Sequence, residues 1–333
     1  MMRVAVDAMG GDYAPGAIVE GAIEASKHYG IEVLLVGRPE AVEGEVSKLE
    51  RRDKLGGSKF QLIPADEVIE MGDDPLYAMR RKRNSSMAVA LRLVKSGEAD
   101  AFVSAGSTGA AYGIARAILG RVKGVTKPAI AVVMPNRYDR TVVIDAGANV
   151  DCSPEDLVEF AVMGSIYSEL ILGKSSPRVG LLNIGTEEVK GNELVFGARS
   201  LLRETPINFI GDVEGRDVMA GTVDVVVCDG FVGNVILKFG EGMANLITDL
   251  LRGELSATLI SRLGAALIKS RLNNLKTKLD YAEYGGAPLL GINGACIIAH
   301  GSSCPNAIKN AVRVAAEYVE RGINLQIERR LKG

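Results

Sequence analysis

The chain has no tryptophan, two histidines and four cysteines among 333 residues, and aromatic side chains make up only 5%. So few aromatics leave no base-stacking platform. A net charge of −2 leaves no overall nucleic-acid signature. With His28 and His300 as the only histidines, a His-rich metal site is excluded. Cys152, Cys228, Cys296 and Cys304 form no C-x-x-C pair, so reduced cysteines in a cytosolic protein are expected. No apolar run reaches the length of a membrane span. Met1-Met2-Arg3 leads straight into a strand, and no signal peptide is expected. Standard nucleotide and nucleophile motifs are missing too. There is no G-x-G-x-x-G after the first strand and no G-x-S-x-G. The nearest P-loop match, SELILGKS (168–175), lacks its first glycine, and Gly173 reads as a helix C-cap. No metal and no cofactor are expected.

Glycine is plentiful at 39 residues, and apolar segments alternate with amphipathic ones. Strands are predicted over 3–6, 32–36, 60–63, 100–103, 129–134, 141–144, 178–183, 223–228 and 295–299, and a hairpin around 136–140 is one reading of the pair at 129–134 and 141–144. Helices are predicted over 15–29, 39–51, 85–94, 109–119 and 154–172, with Ser153 as N-cap of the last. Such alternation predicts an α/β fold, a three-layer αβα sandwich around a mostly parallel sheet. No repeat or linker divides the chain, so 1–333 reads as a single domain. Between about 245 and 284, leucines at helical spacing and several basic residues predict a projecting arm of two amphipathic helices. That arm reads as a packing or dimer surface, or as a surface for an anionic membrane or an acidic carrier protein.

Ligands in such sheets bind where loops leave the carboxyl ends of strands. Six loops there join glycine to polar residues: DAMGGD (7–12), SAGSTG (104–109), DAGAN (145–149), NIGTEEVKG (183–191), DGFVGN (229–234) and HGSS (300–303). Six on one edge predict a shared site. The turn with Ser104, Gly106, Ser107, Thr108 and Gly109 enters a helix N-terminus, where unpaired amides and the helix dipole suit phosphate. Its plainer reading is a capped turn. Lys82, in a basic run, and Lys190 are candidate phosphate cations, or else solvated lysines. Asp7, Gly10, Gly11, Asp12, Asp145, Asn149 and Asn183 are candidate substrate-binding residues of the same edge. Asp229 reads as an orienting carboxylate or a helix cap. Asn234 offers an amide to an oxyanion, and Lys238 follows one turn later on the same face. His300 has the residue type for acid–base work, or is structural.

Taken in order, VAVDAMGGDYAP (4–15), RRKRNSS (80–86), SAGSTGA (104–110), DAGAN (145–149), LLNIGTEEVKG (181–191), CDGFVGNVILK (228–238) and YGGAPLLGINGACIIAHGSS (284–303) resemble the bacterial acyl-(acyl-carrier-protein):phosphate acyltransferase family, also called the fatty acid/phospholipid synthesis protein family. The resemblance spans the whole chain. It implies an isocitrate/isopropylmalate dehydrogenase-like fold. It implies transfer of a long-chain acyl group from acyl carrier protein to inorganic phosphate, giving an acyl phosphate for glycerol-3-phosphate acylation by a downstream acyltransferase. It also implies a cytoplasmic homodimer loosely associated with membrane. A phosphotransacetylase acting on acyl-CoA and a non-catalytic carrier or membrane adaptor are the alternatives. In the expected chemistry phosphate is the nucleophile, held by 104–109 with Lys82 or Lys190. Asn234 and amides near Gly233 meet the oxyanion, His300 protonates the departing thiolate, and Asp229 orients Lys238 or His300.

Overall fold

Strand β1 (Arg3–Asp7) is buried beyond its first residue, and its side chains divide between two cores. Val4 and Val6 enter one and Ala5 the other. The split recurs in β4 (Ala101–Ser104), where Ala101 and Val103 join the first core and Phe102 the second. Strands covered on both faces become nearly unbroken apolar runs, as a sheet between two helical layers demands. The other strands are β2 (Glu32–Gly37), β3 (Lys59–Pro64), β5 (Ala129–Pro135), β6 (Arg140–Ile144), β7 (Val179–Leu182), β8 (Phe209–Val213), β9 (Val225–Val227), β10 (Ala287–Leu290) and β11 (Ala295–Ile298). In the computed structural model, which describes residues 1–272 and 285–332, they form one sheet in the order β3-β2-β1-β4-β11-β10-β5-β6-β9-β7-β8.

Against the first core lie α1 (Gly16–Tyr29), α2 (Pro39–Arg51), α6 (Pro154–Leu172), α7 (Glu193–Glu204) and the helices Pro305–Glu320 and Ile323–Lys332. Against the second lie α3 (Pro75–Arg81), α4 (Ser86–Ser96) and α5 (Thr108–Ile118). The αβα layering and the mostly parallel sheet agree with the pattern in the sequence. So do the Ser153 cap, present as a full capping box, and the left-handed Gly173 that ends α6. Strands β8 and β10 are absent from the sequence expectation. Gly211 breaks one and Pro288 sits in the other, so both read as turn material.

Strand direction corrects the idea of six loops on one edge. β10 is antiparallel to β11 and to β5, and β5 is antiparallel to β6. Consequently β3, β2, β1, β4 and β11 run one way, while β6, β9, β7 and β8 run the other. The loops after β1, β4 and β11 form one group, and those after β6, β9 and β7 form a second.

The arm is also different from expectation. It begins at the site itself, because α9 (Gly230–Ser256) is one 27-residue helix that starts in the DGFVGN loop. It is followed by α10 (Leu259–Leu267). Positions 273–284, with Lys276 and Lys278 of the expected basic run, lie outside the described residues. Among the described residues, no helix is long and apolar enough to cross a membrane.

Candidate active site

The first loop group is built around one buried carboxylate. Asp7, at the end of β1, accepts from the Ser104 hydroxyl at 2.7 Å and from the Met9 N–H at 3.2 Å. Ser104 Oγ in turn accepts from the Gly106 N–H at 3.0 Å, which shapes the turn after β4. Burial pushes the Asp7 carboxyl up from its ordinary value, against hydrogen bonds from Ser86, Ser104 and the backbone. Gly10 has to be glycine, since a Cβ there would stand 2.6 Å from Asp7 Oδ2 and 2.8 Å from the Gly106 nitrogen. Asp12 is exposed, and its N–H donates to the Gly301 carbonyl at 2.8 Å, joining this loop to the one after β11.

That support leaves the next turn open. Ser107 caps α5 by accepting from the Ala110 N–H at 3.5 Å. Among the described residues, the N–H groups of Thr108 and Gly109 have no hydrogen-bond partner, and both residues are exposed. Two free amides at the positive end of an eleven-residue helix have the chemistry to hold an anion, and this turn is the candidate anion seat.

The second loop group is closed. Asp145, fully buried, accepts five hydrogen bonds: from the N–H groups of Ile130, Gly147, Ala148 and Asn149, and from the Asn149 side-chain amide, at 2.7 to 3.1 Å. Burial pushes its carboxyl up and these donors pull it back. Asn149 gives its amide also to the Pro128 carbonyl at 2.7 Å. Its own carbonyl accepts from the Gly230 N–H at 2.7 Å, fixing the start of α9. Asp229 caps that helix, accepting from the Val232 N–H at 2.9 Å. A Cβ on Gly233 would fall 1.8 Å from the Asp145 carbonyl oxygen, so the first turn of α9 lies directly on this loop.

The two groups meet although their strands oppose. Ala299 N–H donates to the Ser104 carbonyl at 2.8 Å, placing the His300 loop beside the anion seat. Lys238, two turns into α9, brings its ammonium 3.2 Å from His300 Nε2 and 3.0 Å from Glu241 Oε2. An ammonium only donates, so Nε2 accepts and the ring proton is assigned to Nδ1, where Ser302 Oγ stands at 2.8 Å. The Ser302 N–H is farther from that nitrogen, at 3.2 Å, and yields to this assignment. Tyr112, one turn into α5, makes a second crossing by donating to Asn149 Oδ1 at 3.1 Å.

The expected residues therefore separate by role. Thr108, Gly109, Asn234, Lys238 and His300 are exposed and Ser107 is half-buried; Asn234 lies against Gly147 of the second loop group, and Lys238 reaches His300 of the first. Asp7, Ser104, Gly10, Gly11 and Gly106 form the floor under the seat, because packing and internal hydrogen bonds occupy them. Asp145 and Asn149 are occupied by hydrogen bonds within their loop and to Ile130, Pro128, Tyr112 and Gly230. Lys82 is held by Asp73 at 2.5 Å and the Val68 carbonyl at 2.8 Å, which corrects its place as a free phosphate cation. Asn183 donates to Asp212 at 2.9 Å within the buried Arg199–Asp212 pair and to the Lys190 carbonyl at 3.0 Å, so it organises its loop. The Lys190 side chain is on the surface of that loop. The Gly233 amide donates to the Asp229 carbonyl at 3.0 Å within the helix, which removes it as an oxyanion donor. Tyr112 was missed; its signal is a tyrosine four residues after the helix start at the seat. Burial pushes the Cys152 thiol up to about 12, so it carries no thiolate nucleophile beside Asn149. No metal-binding cluster occurs among the described residues.

In class, the fold is that of the phosphotransacylases. The chain superposes on a phosphotransacetylase from Streptococcus pyogenes with a TM-score of 0.63 at 16% identity, covering 96% of this chain and 94% of that one. It matches the EutD phosphotransacetylase from Staphylococcus aureus with a TM-score of 0.60 at 18% identity over the same shares. At these identities the likeness is one of fold. The sequence is more particular: the model of the family described as fatty acid synthesis protein matches residues 2–326, and the chain belongs to that family. It is 51% identical to the phosphate acyltransferase of Heliobacterium modesticaldum over 332 residues, 100% of this chain and 98% of the relative. It is 52% identical to that of Pelotomaculum thermopropionicum over 319 residues, 96% of this chain and 92% of the relative.

Proposed function

We propose that this protein is an acyltransferase whose acceptor is inorganic phosphate and whose acyl phosphate product serves phospholipid synthesis. Family membership and about 50% identity to phosphate acyltransferases along the whole chain support acyl transfer to phosphate. The observation that carries the geometry is the pair of open amides at Thr108 and Gly109, on the turn whose Ser104 carbonyl holds Ala299, the residue before His300 and its partner Lys238. Phosphate seated there attacks the carbonyl carbon of a bound thioester. A C–O bond forms, the C–S bond breaks, and the thiolate leaves and takes up a proton. Positioning converts the encounter into an oriented attack. The Asn234 amide and the Lys238 ammonium face the oxygen that becomes negative. Because His300 Nε2 accepts from Lys238, the proton for sulfur comes from the ammonium, and His300 holds that ammonium in place.

The acyl donor is a long-chain acyl carrier protein. Supporting this, Arg80, Arg81 and Arg83 are exposed at the end of α3, which packs on the start of α5 with Pro75 against Gly109. That basic rim suits an acidic carrier. The protein is a cytoplasmic homodimer: α9 exposes Phe239, Leu246 and Leu250, and an apolar trough of 1130 Å³ runs between α9, α8 (Gly215–Ala220) and β5, which a second copy would cover. The trough is lined by Ile236, Gly240, Ala244 and Ile247, on the far side of α9 from Lys238. An anionic membrane meets α10, where Leu259, Ile260 and Leu267 are 77%, 83% and 87% exposed near Arg262 and Lys269. A glycerol-3-phosphate acyltransferase consumes the product. One continuous sheet supports reading 1–333 as a single unit.

Purified protein is given a long-chain acyl carrier thioester with and without phosphate, and free thiol and acyl phosphate are measured. Thiol release that depends on phosphate is expected, and Lys238→Ala lowers turnover about 100-fold. Thiol release that ignores phosphate defeats the reading, and no release at all leaves an adaptor. The same chemistry on coenzyme A is the second reading, favoured by the shared phosphotransacetylase fold. Faster turnover of the coenzyme A thioester selects it.

A further inference from the structure

The anion seat belongs to one half of the sheet and the Asn234–Lys238 face of α9 to the other. Their separation decides whether a seated phosphate reaches the carbonyl. Among the described residues, side-chain hydrogen bonds cross the gap from Lys238 to His300 and from Tyr112 to Asn149. The first uses residues already placed in the chemistry. The second touches no reacting atom.

Asn149 is a junction. Its Oδ1 accepts from Tyr112, and its Nδ2 donates to Pro128 before β5 and to Asp145 after β6. Its backbone carbonyl receives the Gly230 N–H that begins α9. Tyr112 is four residues past Thr108 on α5, hence on the helix face below the seat. A continuous path of hydrogen bonds therefore joins the helix that holds the anion to the helix that carries Lys238. The geometry points to Tyr112 as a positioning residue for the phosphate transfer, a bridge that sets the distance from the α5 seat to α9. This rests on the phosphate seat proposed above.

The molecule contains its own control. Tyr318 donates to Asn324 Oδ1 at 2.7 Å, and Asn324 Nδ2 donates to the Ile292 carbonyl at 2.9 Å, the same tyrosine–asparagine–carbonyl chain away from the crevice. Tyr318→Phe removes an equivalent hydroxyl and reports the structural cost alone.

The test is amide hydrogen exchange of the full chain with and without inorganic phosphate. In the unaltered protein, phosphate is expected to slow exchange both at 104–112 and, across the bridge, at 228–238. Tyr112→Phe keeps the first protection and loses the second, whereas Tyr318→Phe keeps both. In turnover, Tyr112→Phe lowers kcat about tenfold, as misalignment does, with the KM for phosphate changed less than about twofold. The share of thioester lost to water, giving free acid and thiol, rises in Tyr112→Phe only. Protection at 228–238 that survives in Tyr112→Phe overturns the bridge, as does kinetic behaviour equal to Tyr318→Phe. No protection at 104–112 in the unaltered protein overturns the seat and, with it, this inference. Protection confined to 104–112 in the unaltered protein overturns the bridge alone.

Discussion

The turn after β4 and the turn after β6 are alike as strings of letters. SAGSTG and DAGAN each follow a buried apolar strand with small residues and glycine. Yet at Thr108 and Gly109 the amides are open, whereas the amides of Gly147, Ala148 and Asn149 all end on Asp145. The difference lies in where the carboxylate sits. Asp7 is one strand away and reaches the β4 turn through the hydroxyl of Ser104, so it shapes the turn without consuming its helix amides. Asp145 is inside its own loop and consumes them. In this molecule a carboxylate that supports a turn from behind leaves the helix amides open, and one inside the loop fills the nest itself.

Changes at the closed loop should cost most. Gly233→Ala puts a Cβ into the Asp145 carbonyl, so α9 cannot seat; a stability loss of more than about 3 kcal/mol is expected by urea denaturation. If Gly233→Ala is tolerated, the loop is softer than its hydrogen bonds imply. Next comes a matched pair. Asp145→Asn turns an amide NH₂ toward N–H donors that cannot reverse, at a cost of about 2–3 kcal/mol. Asp7→Asn faces the Ser104 hydroxyl, which can turn and accept, at a cost of about 1 kcal/mol. Equal losses in the two variants would erase the distinction between the halves.

Acid should have the smallest effect, and outside both loops. Burial works to raise the Asp224 carboxyl, but the Arg178 hydrogen bonds outweigh it and hold the group below its ordinary value. A depressed folded value means the pair's contribution is present above about pH 4 and is lost as pH falls through the folded value. With Arg178 half-exposed, that contribution is at most about 1 kcal/mol. Melting temperature followed from pH 6 to pH 3 should fall more shallowly in Arg178→Ala. Asp7, raised by burial, has the opposite sign: its contribution is present below about pH 4 and is lost as pH rises toward its folded value.

Layering, caps and most strands were legible because burial on both faces writes itself as apolar runs. Ser153, Gly173 and the turn at 104–109 announce themselves through local chemistry. Strand direction was legible only at the hairpin around 136–140 that joins β5 to β6; the overall reversal depends also on β10, a four-residue strand holding Pro288. The roles of Lys82 and Asn183 depend on Asp73 and Asp212, nine and twenty-nine positions away in sequence. Tyr112 and Asn149 are thirty-seven positions apart, and nothing local links them. The Lys238–His300 contact spans sixty-two positions, although both residues stood out through their loops.

One rod joins chemistry to periphery. Helix α9 is pressed onto the Asp145 carbonyl at Gly233, which makes that point a fulcrum. At 1.5 Å per residue, Lys238 is about 7 Å beyond it and Leu250 about 25 Å. A sideways push of 1 Å at Leu250 is therefore felt as about 0.3 Å at the ammonium, for a rod that stays straight. Whatever grips the outer end of the helix adjusts the reach of Lys238, the lysine proposed to act on the thioester, in the way that a hand on a long handle steadies a short blade.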